Sequence, residues 1–102
     1  MNTERDLDLA KRAKVIEWLK TEIIDQVSRL FKGIWEGKPS RITDSLASLI
    51  VSSYILGRRL GIPFHQLEDA VLHKLKQAHH EGHQLEDWYG DISALENHMR
   101  KR

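Results

Sequence analysis

The chain has 102 residues, with 16 Lys or Arg, 15 Asp or Glu, and no Cys. Its length is typical of one domain, so we expect a single domain over residues 1–102. The absence of cysteine excludes disulfides, zinc knuckles and thiol nucleophiles. A formal charge of +1 lacks the basic excess of proteins that bind the phosphate backbone of nucleic acid, so we expect no nucleic-acid partner.

The most apolar stretch, SLASLIVSSYILG, is only about 13 residues long. A bilayer requires about 20 apolar residues, so this stretch predicts a buried helix and not a membrane span. The first residues alternate charged with small apolar side chains and do not resemble a secretory signal. We therefore expect no membrane association and a cytoplasmic location.

Helical periodicity begins near Thr3 and predicts one long helix that ends around Gly37 and Pro39. Its apolar residues recur at steps of three and four. They are Ile16, Leu19, Ile23, Val27, Leu30 and Ile34.

A second helix is predicted from Thr43 to Leu60, capped by Thr43 or Asp44, with Gly61 in the left-handed position after it. Its apolar residues cover more than one face. We therefore expect it to be buried on two sides, by its own chain and by a partner subunit.

A third helix is predicted over residues 65–80, and Gly82 ends it. Residues 83–91 are predicted to be a turn-rich connection. Asp91 is expected to cap a short last helix that carries Ile92, Leu95 and Met99. Because the connections are short and no strand is predicted, the chain is expected to be an antiparallel all-α bundle.

Two carboxylates on the first helix could bind a cation. Glu22 and Asp25 are three residues apart and therefore project from one side of a helix. Such a pair could hold Mg²⁺, which prefers oxygen ligands. The alternative is a solvated charged face in which Asp25 pairs with Arg29 four residues later.

Two further groups of residues have both a structural and a functional interpretation. His79 and His83 have the spacing of two metal ligands on a helix, but they lack a third ligand at a defined spacing, and a solvated helix end explains them without a metal. Trp88 is expected to pack a terminal helix onto the core, and stacking on a nucleobase is the alternative. Trp18 and Trp35 are expected to be packing residues.

Three segments together resemble the MazG-like all-α nucleoside triphosphate pyrophosphohydrolases. They are LKTEIIDQV at residues 19–27, DSLASLI at 44–50 and LGRRLGI at 56–62. The family carries E-E-x-x-E on its first helix and E-x-x-D on the next. The third helix supplies a Lys-Leu element, which Lys74 and Leu75 match. The resemblance extends over about residues 15–80.

The resemblance implies a Mg²⁺-dependent, or Mn²⁺-dependent, conversion of a nucleoside triphosphate to a monophosphate and pyrophosphate. It implies Glu22 and Asp25 as metal ligands and Lys74 as a phosphate-binding residue. The E-x-x-D positions fall on Ser45 and Ser48, which are not acidic. Asp44 and Asp69 are the tentative replacements for the missing acids.

The resemblance also implies a fold of two long helices and shorter C-terminal helices, with a four-helix core completed by a homodimer or higher homo-oligomer. Two functions follow from the sequence. One is a pyrophosphohydrolase relative whose activity is weak or lost. The alternative is a non-catalytic helical module that keeps the fold for nucleotide binding or oligomerisation.

Overall fold

The computed structural model describes residues 3–82 and 84–101, together with their side chains except those of residues 85 and 86. Within these residues the chain is helical and contains no strand, which confirms the all-α prediction. The helices are α1 (Thr3–Glu36), α2 (Pro39–Arg59), α3 (Phe64–His80), α4 (Gln84–Tyr89) and α5 (Asp91–Arg100).

A two-residue connection joins α1 to α2 and turns them into an antiparallel hairpin. Gly37 adopts a left-handed φ of 65°, and the Lys38 N–H donates to the Gly33 carbonyl at 3.0 Å. This pattern is a glycine C-cap that satisfies carbonyls left open at the helix end. The Glu36 carboxylate accepts from Lys38 at 3.0 Å and lies 3.2 Å from Arg41, and Lys38 in particular lowers the pKa of Glu36.

The second helix begins four residues earlier than the sequence predicted. Pro39 is its first residue, and the Thr43 hydroxyl donates to the Pro39 carbonyl at 3.0 Å inside the helix. Proline suits a first helical position because its missing N–H would have no partner there. The predicted end of the helix is confirmed, since Gly61 has a φ of 93° and the Ile62 N–H reaches the Gly57 carbonyl at 2.8 Å.

The fully buried residues of α1 and α2 are mostly small or polar. α1 buries Leu19, Gln26 and Gly33, which are spaced by seven residues, and α2 buries Ser45 and Ser52 with the same spacing. A repeat of seven keeps one stripe of a helix facing its partner. We call these five residues the hairpin seam.

The predicted apolar stripe on α1 is confirmed except at its end: Leu19 is buried, its other members are half-buried, and Ile34 is exposed. Other large apolar side chains remain exposed outside the seam, including Trp18 and Trp35, so the expectation that these two pack is wrong. The reason is that small seam residues leave little room for large ones between the helices. On the hairpin the exposed residues are Leu7, Leu9, Val15, Trp18, Ile24, Phe31, Ile34, Trp35, Leu46, Ile50, Val51 and Ile55.

The described chain divides into two compact units, one up to Ile62 and the other from Pro63 onwards. In the second unit α5 packs on α3 and α4 contacts α5, while Leu75 is buried. Helix α4 lies within residues 83–91, where the sequence predicted a turn-rich connection, so that prediction is wrong for Gln84–Tyr89. The capping residue of α5 is Gly90, at a φ of 67°, and Asp91 is its first helical residue. The prediction of a single domain over residues 1–102 stays a prediction.

In the described part of the chain, no helix is both long and apolar enough to cross a membrane.

Replacing Gly33 with leucine should destabilise the hairpin. A Cβ atom at Gly33 would lie 3.3 Å from Arg41 Cγ and 3.4 Å from Ile42 Cγ1, so a larger side chain must push α2 away. Overpacking of this kind costs about 1–3 kcal/mol. Chemical denaturation should show this loss for Gly33→Leu, whereas the exposed neighbour Lys32→Leu should change the free energy of unfolding by less than about 0.5 kcal/mol. Equal effects of the two substitutions would contradict the close approach of the helices.

Candidate functional site

Glu22 lies at the edge of the hairpin seam and is held by a neighbouring amide. The Gln26 Nε2 donates to Glu22 Oε1 at 2.9 Å, and the Gln26 side chain is buried. The Oε1 atom of Gln26 is buried without a hydrogen-bond partner in the described structure. A buried acceptor left unpaired costs about 1–3 kcal/mol, so this glutamine orients Glu22 at an energetic penalty.

The sequence analysis did not identify Gln26 as a functional residue. The available signal was a polar residue at the middle of a seven-residue repeat that otherwise contains Leu19 and Gly33. Such a position is usually apolar in a helical pair. Gln26 is therefore a positioning residue for Glu22 in the arrangement that the structure describes.

Asp25 is more exposed than Glu22 and forms an ion pair. Its Oδ2 atom lies 3.1 Å from Arg29 Nε, and both side chains are about half exposed. This is the pair that the structural interpretation of the sequence predicted. Exposed pairs of this type contribute less than about 1 kcal/mol, so another cation could displace Arg29 from Asp25 at little cost.

On α2 the two serines at which the resemblance implies acids differ in burial. Ser45 is 1% exposed and lies in the hairpin seam, whereas Ser48 is half-buried. Asp44 is exposed and lies one helical turn before Ser48, so these two side chains share a face of α2. We call the side of the hairpin that carries Glu22, Asp25, Asp44 and Ser48 the acidic side.

The structure does not bring the candidate acids into one cluster. Among the described residues, no group of three or more His, Asp or Glu side chains is placed to hold a metal ion. Glu22 and Asp25 remain a pair on α1. Asp69 and Lys74 are exposed on α3, which belongs to the second unit, and their predicted roles stay predictions.

The structure describes the contacts of two further candidates, His79 and Trp88. His79 Nδ1 lies 3.2 Å from the Ser93 hydroxyl, a contact that joins α3 to α5. His83 lies outside the described residues, so the predicted pair of ligands is not described. Trp88 is 66% exposed and meets Tyr89 edge to face at 6.3 Å, so the expectation that it packs onto the core is wrong for the described chain.

Comparison with known proteins assigns the chain to a family. The model of the MazG-like family matches residues 9–92. The chain belongs to the MazG-like family. This membership confirms the resemblance found in the sequence and, together with the five helices, the MazG-like all-α fold. Neither the curated proteins nor the solved structures include a significant match to the chain.

Family membership suggests a relationship to nucleoside triphosphate pyrophosphohydrolases and raises the question of a metal ion. Mg²⁺ demands octahedral oxygen coordination and is commonly held by one or two carboxylates together with substrate phosphates and water. Glu22 and Asp25 suit that limited role. They do not form a complete protein cage, because Ser45 and Ser48 supply only neutral hydroxyl groups.

Introducing an acid at Ser45 should destabilise the protein in the absence of metal. The position is almost fully buried between α1 and α2, and a buried carboxylate without a partner costs about 3–5 kcal/mol. Thermal or chemical unfolding should show this loss for Ser45→Glu. Ser40→Glu makes the same substitution at an exposed position on the same helix, away from the seam, and should change stability by less than about 0.5 kcal/mol. Retained stability in Ser45→Glu would contradict the tight seam.

Proposed function

We propose that this MazG-like protein binds a nucleoside triphosphate together with Mg²⁺ on the acidic side of its hairpin and hydrolyses it weakly to a monophosphate and pyrophosphate. Family membership over residues 9–92 supports the substrate class. The observation that carries the proposal is the pair Glu22 and Asp25, which share one side of α1 outside the buried seam. Weak activity follows from the neutral Ser45 and Ser48, which leave the metal with few protein ligands.

The residues of α1 have distinct tasks in this proposal. Glu22, oriented by Gln26, and Asp25, once released from Arg29, would hold the metal and so position the triphosphate. The bound Mg²⁺ supplies neutralisation of the phosphate oxygens and activation of water. In the reaction, the water oxygen would bond to the α-phosphorus, the bond from that phosphorus to the bridging oxygen of the leaving pyrophosphate would break, and the water proton would pass to solvent. Mn²⁺, which also accepts oxygen ligands, is expected to substitute for Mg²⁺.

Replacing Glu22 with glutamine tests the catalytic proposal. The change keeps the size of the side chain but removes the negative charge, so release of pyrophosphate from a panel of nucleoside triphosphates with Mg²⁺ should fall roughly tenfold or more. Asp25→Asn should have a similar effect. Purified protein, a coupled pyrophosphate assay and thermal unfolding with and without Mg²⁺ provide the measurement.

Glu17→Gln is the matched control for this experiment. Glu17 is also exposed on α1, and its Oε1 atom lies 2.7 Å from Lys20 Nζ. Neither Glu17 nor Lys20 belongs to the acidic side. Its substitution should leave the rate of pyrophosphate release within about twofold. Activity that survives both Glu22→Gln and Asp25→Asn would rule out the acidic side as the catalytic site.

A second candidate function is a non-catalytic module that uses the fold for nucleotide binding or oligomerisation. The burial of the neutral Ser45 in the hairpin seam favours it, because the helices pack there through a residue that does not bind a metal strongly. This candidate predicts no release of pyrophosphate from any triphosphate. A shift in thermal unfolding on addition of nucleotide would then separate nucleotide binding from oligomerisation alone.

Either function is proposed to operate in a homodimer or higher homo-oligomer. Ile24 and Phe31 are 72% and 65% exposed and lie about 120–140° around α1 from Leu19, at about 100° per residue. Antiparallel pairing places Leu46 and Ile50 of α2 on the same side of the hairpin. Monomeric proteins rarely expose large contiguous apolar patches, so a second copy that covers this side completes the four-helix core.

Ile50→Glu tests the proposed dimer. Burial of an unpaired charge at a subunit contact opposes association, so light scattering should show a shift from dimer, or higher oligomer, to monomer. Ser40→Glu introduces the same charge at an exposed position about 80° around α2 from Ile50 and should leave the mass unchanged. A wild-type protein that is monomeric at all concentrations would overturn this part of the proposal.

A further inference from the structure

A cavity of about 240 Å³ lies in the first unit, and neither proposed function uses it. Its lining residues are Arg12 and Ile16 of α1 and Arg58 and Arg59 of α2. Three of the four are therefore arginines, contributed by two different helices. None of them belongs to the acidic side.

The arginines supply more positive charge than the end of α2 requires. Arg58 and Arg59 occupy the last turn of α2, where cations complement the helix dipole. That dipole end carries only about half of one negative charge, so a single arginine would balance it. Arg12 lies within α1, far from either end of that helix, and the dipole does not account for it. The cavity therefore has a positive excess.

Nearby acids leave Arg12 and Arg59 able to bind an anion. The Nε atom of Arg12 lies 3.2 Å from Asp8 Oδ2, but both side chains are mostly exposed. Such an exposed pair contributes less than about 1 kcal/mol, so Arg12 can exchange Asp8 for another anion at little cost. Glu17 is engaged by Lys20. Arg59 forms no ion pair with any residue that the structure describes.

We propose that this cavity binds a small phosphate anion through the guanidinium groups of Arg12 and Arg59, assisted by Arg58. A guanidinium presents a planar set of donors that matches two phosphate oxygens at once. Ile16, which is half-buried, supplies the apolar part of the wall, and the exposed guanidinium groups are accessible to an anion from solvent. The cavity is smaller than the roughly 300–1,000 Å³ of sites for drug-sized ligands, which favours inorganic phosphate, pyrophosphate or a terminal phosphate group.

Titration calorimetry in EDTA at constant ionic strength tests this site, with inorganic phosphate, pyrophosphate and ATP as separate probes. Saturable binding is expected for at least one of them. The exposed substitutions Arg12→Gln and Arg59→Gln should each weaken it roughly tenfold or more, since each removes a charged donor. Lys11→Gln removes the same charge from the adjacent, exposed position on α1 and should change affinity by less than about twofold.

The probes separate the possible sources of the phosphate group. Binding of phosphate or pyrophosphate supports a site for the free anion, and binding of ATP alone supports a site for the terminal phosphates of a larger ligand. No saturable binding of any probe overturns the proposal. Equal losses in Lys11→Gln and Arg59→Gln would also overturn it, because they indicate general attraction between charges.

This site does not depend on the proposed pyrophosphohydrolase function. EDTA removes the divalent cations on which the acidic side depends, and Glu22→Gln should leave anion binding in the arginine cavity unchanged. Loss of pyrophosphate release with retained anion binding would therefore contradict only the catalytic proposal. Circular dichroism of Arg12→Gln and Arg59→Gln should show wild-type helix content, so that weaker binding reports on the cavity and not on unfolding.

Discussion

The close approach of α1 and α2 determines the rest of the hairpin. The helices meet through Gly33, Ser45 and Ser52, which are small enough to let their backbones approach each other. Because these residues occupy the seam, the large apolar side chains project to its sides. Because successive residues of a helix are about 100° apart, Glu22 lies at one edge of the seam and Ile24 projects from another side of α1.

This arrangement explains why the acids and the apolar residues do not compete for one surface. The acidic side carries Glu22 and Asp25, whereas Ile24 and Phe31 project from a different part of α1. A second copy of the chain can therefore cover the apolar side while the carboxylates stay accessible to a nucleotide. Gln26 links the packing of the hairpin to the acidic side. Its side chain is buried in the seam, and its Nε2 atom donates a hydrogen bond of 2.9 Å to Glu22.

The neutral Ser45 on α2 has a physical consequence for the packing of the hairpin. Ser45 lies inside the seam, where a carboxylate would be removed from water and would require a cation to compensate its charge. A neutral serine removes that requirement and lets the hairpin close without metal. At this position a carboxylate would favour metal binding, whereas a neutral side chain favours stability in the absence of metal. This chain has the neutral serine.

The sequence by itself determined the helical fold, the family and the placement of Glu22 and Asp25 on one side of α1. Helical period, glycine caps and residue spacing are local properties, so the ends at Gly37 and Gly61 were predictable. The start of α2 was predicted four residues too late. A proline can follow the end of one helix or stand at the first position of the next, and the sequence around Pro39 does not distinguish these two roles. α4 was missed because a helix of one or two turns leaves too little periodicity to detect.

Only the tertiary structure decided which residues form the seam. Periodicity identifies an apolar stripe, but burial depends on the distance and rotation of the second helix, which no single helix specifies. The structure therefore selected Gln26 and Ser45 for burial and left the apolar Ile24 and Phe31 exposed. It also brought Arg12 together with Arg59, residues distant in the chain, because the antiparallel hairpin places the early part of α1 beside the end of α2.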